Sequence, residues 1–281
     1  MSKKVSVAVV VILSMAVLQA AVAASEWGKP KPWEHCTAGI ERMPCIFGST
    51  LYYVKDYDIY TSTWDGASGK WSEPQPVPGP INTGANEINP CVAGGGKVLY
   101  FARYDPITDY DFYRSEWNGA KGEWGEPVKI EELSTNTQEW DVWVNDDETT
   151  AYVTTKGSYG GAASVGDRDI WKSTRSGDKW ATPVNIGAPV NTAGSEWSIF
   201  VDSAGRLFID GKRDGTVGGY DIYVAESDTA APVNVGEPLN SEFDEREVAF
   251  DERFFFFSAS NREGGVGAYD LWYSVNPPVI K

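Results

Sequence analysis

The sequence predicts an all-β, five-bladed β-propeller with four strands per blade. Three observations carry this. First, one tetrapeptide recurs as Tyr57-Asp58-Ile59-Tyr60, Tyr110-Asp111-Phe112-Tyr113, Arg168-Asp169-Ile170-Trp171, Tyr220-Asp221-Ile222-Tyr223 and Tyr269-Asp270-Leu271-Trp272, its aspartates 53, 58, 52 and 49 residues apart. Second, each period holds four short apolar-aromatic runs separated by turn residues, with apolar spacing near two and no helical periodicity. Third, the ends are complementary. Trp27-Gly28-Lys29-Pro30 is a fourth-strand motif with no blade before it, and the last repeat stops at Asn276-Pro277-Pro278 after its third strand. Pairing the two ends closes the ring and removes its open edges. A linear solenoid is the alternative, and it needs caps that the sequence does not offer.

The strands of the second blade illustrate the rest. Glu87 to Ala93 is a first strand, Gly94-Gly95-Gly96 turns the chain, and Val98 to Ala102 is a β-branched and aromatic second strand. The third runs from Asp111 to Trp117, Asn118-Gly119 turns again, and Trp124 to Ile130 is the fourth. In the other blades the first strand follows Glu41, Glu139, Glu196 and Glu245. Trp71 and Pro74, Trp124 and Pro127, and Trp180 and Pro183 mark fourth strands; Ala231-Pro232-Val233 has lost the Trp.

The units Lys212-Arg213-Asp214-Gly215 … Gly218-Gly219-Tyr220-Asp221-Ile222-Tyr223 and Asn261-Arg262-Glu263-Gly264-Gly265 … Tyr269-Asp270-Leu271-Trp272 resemble the WD40-like propeller repeat. That repeat occurs in the propeller of the periplasmic protein TolB and in many exported bacterial proteins. The linkers Pro183-Val184-Asn185-Ile186-Gly187 and Pro232-Val233-Asn234-Val235-Gly236 look like the same family's inter-blade segment. The resemblance implies a binding propeller for proteins, peptides or sugars, and it brings no catalytic residue. TolB has an extra N-terminal domain and six blades, so its partners do not transfer.

Residues 1–24 read as a secretory signal peptide and 25–281 as the propeller. Lys3 and Lys4 precede an apolar run from Val5 to Leu18, and Ala21 and Ala23 supply an A-x-A-like cleavage site. The expected product is periplasmic or secreted, without a transmembrane segment, and monomeric. Removing the leader leaves 22 basic against 40 acidic residues, a net charge of −18. A field of that sign repels phosphate backbones and argues against nucleic acid. Cys36, Cys45 and Cys91 allow at most one internal disulfide, and their spacing fits no zinc or haem pattern. The single histidine, His35, leaves no room for a His-rich metal centre. No cofactor is implied, and a metal in the channel is left open.

Candidate chemistry gathers at the channel mouth, where the linker into each first strand meets the loop between second and third strands. There the five glutamates would meet Lys55, Arg103, Lys156, Arg213 and Arg262. A role repeated in every blade is architectural, so these ion pairs are expected to tie blade to blade. The five aspartates are expected to bond local backbone amides. Function belongs where blades differ. Two residues beyond each Glu stand Met43, Asn89, Asp141, Ser198 and Glu247; next to each Glu stand Arg42, Ile88, Trp140, Trp197 and Arg246. Trp140, Trp197, Tyr104 and Tyr159, with Asp141 and Glu247, make a candidate ligand-binding set. Ring faces stack on sugars while polar groups fix hydroxyls.

Five blades are also the architecture of arabinanase-type glycoside hydrolases, which need two carboxylates with separated pKa values. Glu87, Glu139, Asp141 and Glu196 are the candidates for that alternative. Ser173 to Trp180 has the Ser, Gly and Trp spacing of a sialidase Asp-box, but Arg175 stands where the Asp belongs, so it reads as hairpin design. The first expectation is a non-catalytic propeller that binds a glycan, peptide or protein at its mouth.

Overall fold

A computed structural model describes residues 28–275. Residues 1–27, which include the expected signal peptide and Trp27, and the segment after Val275 lie outside the described residues. Five antiparallel sheets follow one another around an axis, with no α-helix among the described residues. No helix there is long and apolar enough to cross a membrane. The blades begin with Glu41–Phe47, Glu87–Ala93, Glu139–Val144, Glu196–Val201 and Asp244–Phe250. These innermost strands pack side by side round the axis, because each presents apolar residues to both neighbours.

The ring closes as its ends predict. Lys31–Pro32 pairs antiparallel with Asp270–Val275, with Lys31 opposite Tyr273 and Pro32 opposite Trp272. The strand thus lies just after Pro30. The same offset holds throughout: Gln75–Pro76, Val128–Lys129, Val184–Asn185 and Val233–Asn234 each follow the marker proline. Trp71, Trp124 and Trp180 sit in separate two-residue strands that pair with the end of the third strand. The fourth strand is therefore split in two at the proline, which has no N–H for an unbroken ladder. Buried Ser62, Ser115 and Ser173 hold that hairpin by donating to Ser72 O, Gly125 O and Ala181 O. The Ser–Gly–Trp spacing is structural.

The repeated aspartates cap the loop before their own strand. Asp169 accepts from the amides of Val165 and Gly166, Asp221 from Val217 and Gly218, and Asp270 from Val266 and Gly267. Asp111 instead takes Thr108 Oγ1 and Lys129 Nζ. In the linkers, Asn82, Asn191 and Asn240 imitate a strand: each side-chain amide bonds both N–H and C=O of the residue after the repeated Asp.

The cysteines are free thiols. Cys45 Sγ accepts from Val92 N–H and Cys91 Sγ from Val144 N–H, so each reaches forward to the next blade rather than toward the other.

Candidate functional site

Blade-to-blade register builds the mouth. The amide of the repeated Glu donates to the carbonyl of the residue preceding the repeated Asp in the previous blade. Glu87 bonds Tyr57 O at 2.8 Å, Glu196 bonds Arg168 O at 3.0 Å, Glu245 bonds Tyr220 O at 2.8 Å and Glu41 bonds Tyr269 O at 2.9 Å. The last of these crosses the closure. Each such bond sets the residue after Glu beside the residue before Asp.

The glutamates themselves are not free for chemistry. All five are buried. Each accepts from the hydroxyl four residues upstream: Thr37, Thr83, Thr135, Thr192 or Ser241. Glu87 adds Arg103 at 2.8 Å, and Glu196 and Glu245 add Arg213 and Arg262 at 3.0 Å; in each pair both partners belong to the same blade, so these pairs brace a blade internally rather than tie blade to blade as expected. The expected basic ring is therefore only partly formed. Lys156 pairs with Asp167, and Thr155 supplies a hydroxyl to Glu139 in place of a cation. Lys55 makes no ion pair with Glu41 and instead lies near the Tyr60 ring. In these two blades a lysine stands where the others carry an arginine long and forked enough to reach the carboxylate.

What faces the mouth is a ring of stacked aromatic and guanidinium groups, one pair at each of four junctions. Tyr110 meets Trp140 edge to face at 5.8 Å. Arg168 lies 3.7 Å over the ring of Trp197. Arg246 lies 4.5 Å over Tyr220, and Arg42 lies 4.6 Å over Tyr269. Trp140 and Trp197 touch edge to face at 5.2 Å, which links neighbouring pairs. Cation–π stacking of this kind gains strength as it is desolvated. Sequence reasoning found the two tryptophans but missed Arg168 and the pairing across blades. The signal was present: where the residue after Glu is Arg, the one before Asp is Tyr, and where Trp197 follows Glu, Arg168 precedes Asp.

Under this ring a bulge interrupts every first strand, marked by a register shift just after the Glu. Met43, Asn89 and Glu247 adopt φ of 56°, 52° and 53° there, a left-handed conformation that turns the chain toward the axis. Asn89, Asp141, Ser198 and Glu247 line an axial cavity of about 90 Å³. That holds water but falls well short of the roughly 300 Å³ of small-molecule pockets. Asp141 accepts from Ile199 N–H at 2.8 Å, and Glu247 is held by Arg42. Arg246 pairs with Asp210 at 2.7 Å, and Ser198 donates to the same carboxylate.

Burial pushes Asp141 up to about 8, reinforced by the nearby charges of Glu247 and Asp210 and opposed by the Ile199 amide. Burial also works against the charge of Glu247, yet Arg42 holds its carboxyl below the usual range. Glu139 and Glu196 are raised to about 7, by burial above all. Each raised acid keeps its proton in the folded chain at pH values where the unfolded chain has lost it. Stability therefore falls as pH rises, from the ordinary carboxylate range up to about 8, by at most about 1.4 kcal/mol per pH unit for each group. Chemical denaturation at pH 5, 6.5 and 8 should give decreasing unfolding free energies, and Asp141→Asn should flatten the slope between 6.5 and 8.

Of the other candidates, Tyr104 is exposed and stands edge to face on Tyr110 at 5.5 Å. Tyr159 is buried against Trp171, with its hydroxyl donating to Leu133 O. It packs the blade core, and its ring offers no open face at the mouth. Trp140 and Trp197 are half-buried.

The fold has known company. No family model matches the sequence, and no curated protein does. Solved structures do match: a TolB-like protein from Agrobacterium tumefaciens, 12% identical, TM-score 0.51, covering 86% of this chain and 92% of that one; the catalytic domain of the Coprinopsis cinerea GH62 α-L-arabinofuranosidase, 10% identical, TM-score 0.50, covering 89% and 96%; and the tricorn protease, 13% identical, TM-score 0.50, covering 79% and 24%. The chain thus spans about a quarter of the tricorn protease. At such identities the likeness is one of fold, and it includes a TolB-like protein, a glycoside hydrolase and a protease alike.

Proposed function

We propose that this chain is an exported, non-catalytic propeller of the WD40-like repeat type that binds a glycan, peptide or protein at its channel mouth. The stacked ring of Tyr110, Trp140, Trp197, Arg168, Arg246 and Arg42 carries this reading, because it is the feature of the mouth that differs from blade to blade. The repeated glutamates, by contrast, spend their oxygens on local hydroxyls and arginines. The charged start and apolar run of the leader support export.

One observation favours a glycoside hydrolase instead. Asp141 and Glu247 are pushed in opposite directions, as an acid and its partner carboxylate need to be. Both lie below the ring, however, and each is already engaged by a protein donor.

Native mass spectrometry of the chain starting at Ser25, mixed with an oligosaccharide and peptide pool, separates the readings. The expected result is an intact ligand retained by the wild type and lost in Trp140→Ala and Trp197→Ala. Shortened sugars whose production stops in Asp141→Asn would establish the hydrolase. A spectrum with neither adduct nor product would overturn glycan and peptide binding and leave a protein partner.

A further inference from the structure

Three arginines enter the mouth, and their circumstances differ. Arg42 is neutralised by Glu247 and Arg246 by Asp210. Arg168 is fully buried, and the one hydrogen bond of its guanidinium goes from Nη2 to the neutral amide oxygen of Gln138, whose Nε2 donates to Asp109. Among the described residues its Nε and Nη1 reach no acceptor, and no carboxylate is in ion-pair contact with it. Burial, together with the like charge of Arg246 and opposed by the more distant charges of Asp167, Asp210 and Asp109, lowers its proton affinity to about 10, so it still carries a full charge at neutral pH. A buried, unpaired guanidinium costs several kcal/mol in a folded chain. It persists in proteins where something else supplies the counter-charge.

The surrounding atoms indicate what that is. Trp140 Nε1, Trp197 Nε1 and Arg246 Nη2 are also buried without an acceptor. Every unpaired polar atom of the ring is therefore an N–H donor. Two of the three guanidiniums are ion-paired; around Arg168, Asp210 is engaged by Arg246, Asp167 by Lys156, and Asp109 meets it only through Gln138, so its own N–H groups have no direct anionic partner. One guanidinium without a direct ion pair suits a monoanionic carboxylate better than a dianionic phosphate, and the acidic chain as a whole disfavours polyanions. The indoles make no hydrogen bond, so either ring can swing aside to admit a ligand without breaking one.

We propose that Arg168 receives the carboxylate of a uronic-acid-type sugar residue, with the indole N–H groups of Trp140 and Trp197 donating to its oxygen atoms. This rests on the binding reading above and names the ligand class. A sugar fits better than a peptide because its hydroxyl and ring oxygens accept hydrogen bonds. A peptide backbone would bring further N–H donors to a ring whose unpaired atoms are all donors already.

The test is calorimetric titration of the leader-free protein with disaccharides that carry a single galacturonate, glucuronate or mannuronate residue, each alongside its methyl ester. At least one acid should bind tenfold or more tighter than its ester. Arg168→Gln should abolish that preference without lowering the melting temperature, since it removes an unpaired charge. If Arg168→Gln does not fold, Arg168→Lys, which keeps the charge but loses the planar fork, should weaken the acid at least fivefold while the ester is unchanged. Equal binding of acids and esters, or a preference that survives Arg168→Gln, would overturn the proposal. Binding confined to neutral sugars and lost in Trp197→Ala would sink this inference and leave mouth binding standing. A peptide whose free C-terminus, but not its amide, depends on Arg168 would replace the sugar with a peptide. No binding by any probe would count against both.

Discussion

Glu87→Gln is expected to destabilise the protein by roughly 3–5 kcal/mol, on the scale of breaking a buried ion pair by removing one partner. Glu87 accepts from Thr83 Oγ1 at 2.6 Å, Thr83 N at 3.0 Å and Arg103 Nε at 2.8 Å. The amide keeps one acceptor oxygen, but it puts NH₂ donors against either the Thr83 amide or the arginine. Glu139→Gln is the control. Glu139 has no arginine, its Oε1 takes the hydroxyls of Thr135 and Thr155, and its Oε2 has no partner among the described residues. With a pKa of about 7 it is mostly protonated at pH 6, where an amide is a close substitute and should cost less than about 1 kcal/mol. Urea unfolding of both variants at pH 6 measures the difference. Equal losses would show that the arginine contributes nothing to the latch.

Trp33→Ala is expected to cost about 3–5 kcal/mol, the range for truncating a buried large aromatic side chain. Trp33 sits immediately after the closing strand and is buried against Tyr53 and Trp71, both belonging to blade one. Its amide donates to Leu271 O of blade five at 2.8 Å. One residue therefore joins blade one to blade five across the closure. The loss should be concentrated there. Hydrogen exchange at the Glu41 amide, which crosses to Tyr269 O, should accelerate more than at the equivalent Glu87 amide. A loss below about 1 kcal/mol with even exchange would mean that the ring is held shut elsewhere.

The fold was legible because most blades repeat the same local solution. Aspartates that cap their own loops, a proline that splits the fourth strand and complementary chain ends all leave marks at fixed spacing. The glutamate ring was legible as architecture for the same reason. Its partners were less so: the three arginines form the ion pairs, whereas Lys55 and Lys156, placed alike in sequence, do not. The mouth was half legible. Trp140 and Trp197 differ visibly from their counterparts, but Arg168 hides inside the repeated tetrapeptide as a change from Tyr. Its importance comes from a contact with the next blade, some thirty residues on, that no local pattern displays. Tyr159 was misleading in the opposite sense. A Tyr in a long Gly-rich loop looks available, yet the loop folds back and buries it.

The most direct measurement pairs two variants on two readouts. Retention of the captured ligand and unfolding free energy are measured for Trp197→Ala and Glu87→Gln. If the mouth binds and the glutamates only build, Trp197→Ala loses the ligand with a smaller loss of stability, while Glu87→Gln is destabilised and keeps the ligand at wild-type affinity. The reverse pattern, ligand lost in Glu87→Gln and kept in Trp197→Ala, would contradict the account and return the glutamate ring to the functional site.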